Sequence, residues 1–118
     1  MDRELNILGV RVNNLTESEV LEHIEAFVRD GTSHQIVTVN PEFVIMAQQE
    51  RDFRDILNKA DLALPDGVGI LWASRMLGKP LRERVAGSDL VERLAWWACS
   101  RGYSLYLLGA GPGVAQQA

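Results

Sequence analysis

Two periods alternate along this chain. The short apolar stretch Ile7-Leu8-Gly9-Val10-Arg11-Val12 reads as a strand. Thr16 and Glu19 then have the Thr-x-x-Glu spacing of a helix capping box. Val20, Leu21, Ile24, Phe27 and Val28 follow at the spacing of one helical face, and Gly31 stops that helix. His34 to Asn40 is rich in β-branched residues and predicts a strand. Asn40 suits an N-cap and Pro41 a first helical turn, so a helix is expected over Glu42 to Gln49. A second helix is expected over Asp52 to Lys59, with Phe53, Ile56 and Leu57 facing inward. Asp61 to Leu64 reads as a short strand, cut off by Pro65-Asp66-Gly67. Val68 to Leu77 is mostly apolar and predicts a buried helix ending at Gly78. Lys79 to Gly87 is a polar, basic loop. Ser88 or Asp89 can cap a helix through Ser100, with Leu90, Leu94, Trp97 and Ala98 on one face and Gly102 closing it. Tyr103 to Leu108 reads as a further strand, followed by Gly109-Ala110-Gly111-Pro112-Gly113 and the start of a helix.

Strands alternating with helices predict an α/β fold, a Rossmann-like, mainly parallel sheet flanked by helices. The last βα unit is left open, so 1–118 is expected to be the N-terminal portion of a longer, single domain. The length, 118 residues, suits one domain or part of one, and 47% hydrophobic with 24% charged residues is a globular composition. A net charge of -4 speaks against a dedicated nucleic-acid binder. Cys99 is alone, which excludes an intrachain disulfide and a cysteine zinc site and suits a reducing compartment. With no signal-peptide pattern after Met1, a cytoplasmic protein is expected.

In open α/β sheets ligands bind beyond the carboxyl ends of the strands. Three such ends carry polar or glycine-rich residues: Thr38-Val39-Asn40, Pro65-Asp66-Gly67 and Gly109-Ala110-Gly111-Pro112-Gly113. Parallel strands would gather them on one rim. Each has a second reading: Asp66 as a turn residue or cap, Thr38 as a β-former, and Asn40 as a cap. Gly109, Gly111 and Gly113 match the dinucleotide fingerprint only in part. Arg82, Glu83 and Arg84 form either a solvated run or, through a guanidinium fork, an anion contact. His23 and His34 read as structural or exposed, Trp72, Trp96 and Trp97 as helix-packing residues, and nothing has the spacing of a metal site.

Thr38-Val39-Asn40-Pro41-Glu42, Ala60-Asp61-Leu62, Leu64-Pro65-Asp66-Gly67-Val68-Gly69, Glu83 to Leu90 and Leu107 to Gly113 occur in that order. Together they resemble the WecG/TagA/CpsF glycosyltransferases. The resemblance implies inverting, metal-independent transfer of a sugar from a UDP-sugar donor to a polyprenyl-diphosphate-linked sugar acceptor, with no cofactor. It implies N-acetylmannosamine transfer to undecaprenyl-diphosphate N-acetylglucosamine in TagA-like members, for teichoic acid, and the corresponding uronic acid in WecG-like members. It places the general base on Asp66 and substrate contacts on Thr38, Asn40 and Arg84. It also implies a second half and a basic C-terminal segment that meets the inner face of the bacterial plasma membrane, both absent from these 118 residues. The fragment alone is therefore expected to be inactive, and exposed helix faces favour a homo-oligomer. Two other readings stay open: a nucleotide- or dinucleotide-binding Rossmann-type domain of an oxidoreductase, and a non-enzymatic interaction module.

Overall fold

The computed structural model describes residues 3–118. Strands β1 (Glu4–Ile7) and β2 (Val10–Asn13) form an antiparallel hairpin, with Ile7 opposite Val10. The sequence reads this stretch as one strand, whereas Leu8 (φ 49°) and Gly9 (φ 87°) turn the chain through a two-residue loop. Leu8 is an unusual residue for a left-handed turn, which hides the turn in the sequence. The Asn6 side chain steadies it by accepting from Gly9 N–H at 2.8 Å.

Helix α1 (Glu17–Asp30) starts as the capping box predicts: Thr16 Oγ1 accepts from Glu19 N–H at 3.3 Å. Gly31 ends it at φ 73°. Strand β3 (Ile36–Val39) leads into α2 (Pro41–Gln49), and Asn40 Oδ1 caps that helix by accepting from Phe43 N–H at 2.8 Å. Helix α3 (Arg51–Lys59) follows, with Leu57 buried but Ile56 exposed, contrary to the inward face expected for it. Strand β4 (Leu62–Pro65) pairs with β3 in parallel, Thr38 opposite Leu64 and Val39 opposite Pro65.

Alternation along these two strands divides the core. Val39 and Ala63 face the hairpin, α2, α3 and α4 (Val68–Met76), in a cluster with Val10, Val12, Val44, Leu57 and Ile70. Leu62 and Leu64 face the other way, toward α1 and α5 (Gly87–Arg101), in a cluster with Val20, Val85 and Leu90. This is an α/β arrangement with helices on both faces of a parallel pair. Along the edge of β4 away from β3, Asn13 Oδ1 accepts from Ala63 N–H at 2.7 Å. Val85 N–H donates to Pro65 O on the same edge, at 2.8 Å. Pro65 has no N–H to leave unpaired there.

Four further expectations fail. Helix α4 is apolar but not buried: Ile70 and Ser74 face the core, while Val68, Trp72 and Met76 face outward. Neither Ser88 nor Asp89 caps α5, which begins at Gly87 after Ala86 with no side-chain cap. Trp72 and Trp96 are exposed and do not pack helices together. Tyr103 to Leu108 forms no strand and is exposed before the short helix α6 (Val114–Gln117). A strand needs a neighbour to take its N–H and C=O groups, and among the described residues none lies beside this segment. Among the described residues, parallel pairing is thus confined to β3 and β4. The accessible surface, 8036 Å², is about a quarter larger than size scaling gives for this mass. Exposed apolar residues on α4, α5 and 103–108 are part of that surface.

Candidate active site

The parallel pair ends with both chains turning into helices. Val39 O accepts from Asp66 N–H at 2.9 Å, which sets Asn40 and Asp66 side by side on the carboxyl edge. Two residues then decide how closely α2 and α4 begin. Gly67 caps α4 at φ 113°, a conformation glycine adopts freely. At Gly69, a β-carbon would lie 2.7 Å from Pro41 Cγ, so the first turns of the two helices are in contact through a missing side chain. Helix α5 joins them from the other face: a β-carbon on Gly87 would lie 3.3 Å from Thr38 Cγ2. Three helix N-termini therefore converge around the ends of β3 and β4, and those of α4 and α5 have no side-chain cap on their leading N–H groups.

The loop between α4 and α5 delivers the cation. Arg82 is spent on structure: its guanidinium forks onto Glu19 at 2.7 and 2.8 Å and donates to Asn14 O at 2.7 Å. That bonding holds the Glu19 carboxyl below its ordinary range and raises Arg82. Glu83 accepts from Glu17 N–H at the start of α1, 3.3 Å away. With its two neighbours so anchored, Arg84 reaches Asp66, Nε to Oδ1 3.8 Å. Both side chains stay accessible, Arg84 by half and Asp66 by a quarter.

Of the candidate residues, Thr38, Asn40, Asp66 and Arg84 share one rim. The strand expected to carry Gly109, Gly111 and Gly113 to that edge is not formed. Among the described residues no group of three or more His, Cys, Asp or Glu is arranged to hold a metal ion. Sequence reasoning missed the glycine contacts at Gly69 and Gly87. The only available signal for them was a glycine inside a helical pattern, at Gly69.

Comparison with known proteins places the chain in a family. Residues 5–118 match the glycosyl transferase WecG/TagA/CpsF family. The chain belongs to that family. It is 32% identical over 109 residues to an N-acetylglucosaminyldiphosphoundecaprenol N-acetyl-beta-D-mannosaminyltransferase of Staphylococcus aureus strain NCTC 8325 / PS 47. The enzyme of the same name in strain COL is equally similar. The match takes in 91% of this chain and 43% of that relative, so the chain spans less than half the length of the curated relatives it matches. Membership of a glycosyl transferase family gives the oxidoreductase reading no support.

Proposed function

We propose that this chain carries the base and part of the donor site of an inverting, metal-independent transferase. It would move N-acetylmannosamine, or a related sugar, from a UDP-sugar to undecaprenyl-diphosphate-linked N-acetylglucosamine, for teichoic acid or another cell-surface polysaccharide. The observation that carries the reading is the Asp66–Arg84 pair at 3.8 Å beside Asn40, in a chain of this family. The names of the relatives supply the sugar and the acceptor.

Inversion takes one displacement. The acceptor hydroxyl oxygen attacks the anomeric carbon, the bond from that carbon to the UDP oxygen breaks, and Asp66 accepts the hydroxyl proton. Charge grows on the departing diphosphate. Arg84 and the N-terminal N–H groups of α4 and α5, neither of which has a side-chain cap, meet it without having to reorganise. Thr38 and Asn40 position the sugar rings. On this reading the enzyme works as a peripheral protein at the cytoplasmic face of the bacterial plasma membrane, where its acceptor is anchored.

The test uses protein expressed from the complete gene, UDP-sugars and a lipid-diphosphate acceptor. Asp66→Asn keeps the shape of the rim, so it should retain the wild-type unfolding temperature while turnover falls roughly 10²–10⁴-fold. Arg84→Lys keeps the charge but loses the fork and should weaken UDP binding by about tenfold in calorimetry. A well-folded Asp66→Asn enzyme with wild-type turnover would remove Asp66 from the chemistry.

A further inference from the structure

Residues 79–86, which carry Arg84, form neither helix nor strand, so no backbone ladder fixes them. What fixes them is a set of bonds to separate elements of the fold. Ahead of Arg84, Leu81 N–H donates at 3.1 Å to the hydroxyl of Ser74, which is fully buried on α4. Behind it, Val85 N–H donates to Pro65 O at the end of β4, at 2.8 Å. Between these anchors Arg82 is bonded through backbone and side chain alike. Its N–H donates at 3.0 Å to Oδ1 of the buried Asn14, its guanidinium donates to Asn14 O, and the fork closes on Glu19. Glu19 is itself fixed, because its N–H donates to the Thr16 cap in the first turn of α1. Two residues on from Arg82, Arg84 reaches Asp66 at 3.8 Å, longer than a hydrogen bond, with half its side chain accessible. A pair that loose and that exposed does not hold a long side chain in one rotamer, so the aim of Arg84 depends on the backbone beneath it.

We infer that Arg82 is a positioning residue for the donor site: its fork on Glu19 and its bonds to Asn14 hold residues 82–84 so that Arg84 is aimed at the donor diphosphate, while Arg82 itself does not touch the donor. The inference rests on the transferase reading, which gives Arg84 that diphosphate. The gain is preorganisation. A guanidinium already aimed loses less freedom on meeting an anion than one that must first be ordered. Charge acting at a distance, or direct contact of Arg82 with the donor, is a different role, and Glu19 separates it from positioning. Removing the Glu19 charge leaves Arg82 less neutralised, so either of those roles would make an anionic donor bind more tightly. Positioning makes it bind more weakly, because the fork has lost its partner.

The experiment is calorimetric titration of UDP into protein expressed from the complete gene, with unfolding temperatures measured alongside. Arg84→Ala sets the scale and should weaken UDP binding at least about tenfold. Glu19→Gln keeps the size of the side chain and should weaken UDP binding about three- to tenfold, although it removes a negative charge. Arg82→Lys keeps the charge but not the fork and should do the same. In the Arg84→Ala background no guanidinium is left to aim, so either substitution should change the affinity by less than about twofold. Both are conservative exchanges at a pair about one-third exposed, so the unfolding temperatures should stay within about 5 °C of the wild type. Should one of the two unfold, the other decides. The inference is overturned if Glu19→Gln binds UDP as tightly as the wild type or more tightly, or if Arg82→Lys binds like the wild type. It is also overturned if the losses persist in full in the Arg84→Ala background, which would mark a merely structural role. Wild-type affinity in Arg84→Ala would overturn the donor role of Arg84 and the inference together. A weakened Arg84→Ala beside an unaffected Arg82→Lys would overturn the inference alone.

Discussion

Replacing Gly69 by alanine should pry apart the two helices that frame the rim. The new β-carbon would sit 2.7 Å from Pro41 Cγ, against about 3.5–4.0 Å for carbons in ordinary contact. Close to an ångström must therefore be found. Pro41 can supply little of it, because its ring is part of the backbone and the start of α2 is tied down by the Asn40 cap. Overpacking of this kind costs about 1–3 kcal/mol, and the better helix propensity of alanine returns up to about 1 kcal/mol. A net loss of about 1–2 kcal/mol is expected. For a chain of this size that lowers the unfolding temperature by roughly 3–8 °C. The decisive assay is a double-mutant cycle read by thermal or urea unfolding. Pro41→Ala removes Cγ and leaves the β-carbon 3.7 Å away, which is ordinary contact. In that background Gly69→Ala should be neutral or mildly stabilising, giving a coupling of about 1–2 kcal/mol. Equal effects of Gly69→Ala in the two backgrounds would refute the contact as the reason glycine stands there.

Two further outcomes test the local structure. Asn40→Ala should cost about 1 kcal/mol through the lost α2 cap while Asn40→Asp costs little, as measured by urea unfolding. The second concerns His34, which bridges two carboxylates, Nδ1 to Asp61 at 3.1 Å and Nε2 to Asp30 at 2.8 Å, with Phe27 stacked on its ring. The bond to Asp61, and then that to Asp30, raises the imidazole above its ordinary value. Asp61 is lowered by the Gln35 N–H and then by His34, and Asp30 chiefly by Thr32. A raised histidine stabilises the fold fully below its unfolded value near 6.5 and loses that contribution as pH climbs through the folded value. The lowered carboxylates contribute above about 3.8 and lose it as pH falls through their folded values. The unfolding temperature should therefore drop as pH rises from about 6 to 9, and His34→Gln should flatten that slope. An unchanged slope in His34→Gln would assign the pH dependence to other groups.

Local signals carried much of this molecule. The capping box at Thr16, the Asn40-Pro41 helix start and the glycine stops at Gly31 and Gly102 are set by neighbours three or four residues away, and all are found where the sequence puts them. The run Thr38 to Asn40 and the Pro65-Asp66-Gly67 turn were legible as strand ends for the same reason. What the sequence could not decide was which apolar face has something to lie against. Apolar composition made α4 look buried and Tyr103 to Leu108 look like a strand. Burial and pairing belong to whatever stands opposite, and among the described residues nothing covers either one. The hairpin turn was lost because Leu8 occupies a left-handed position that its residue type does not advertise. In the charged loop, Arg82, Glu83 and Arg84 read alike. Only the fold, by bringing Glu19 and Asn14 to Arg82 and the start of α1 to Glu83, turns Arg84 toward Asp66. Short-range chemistry wrote the ends of the elements, and long-range contact chose which of their polar groups share a rim.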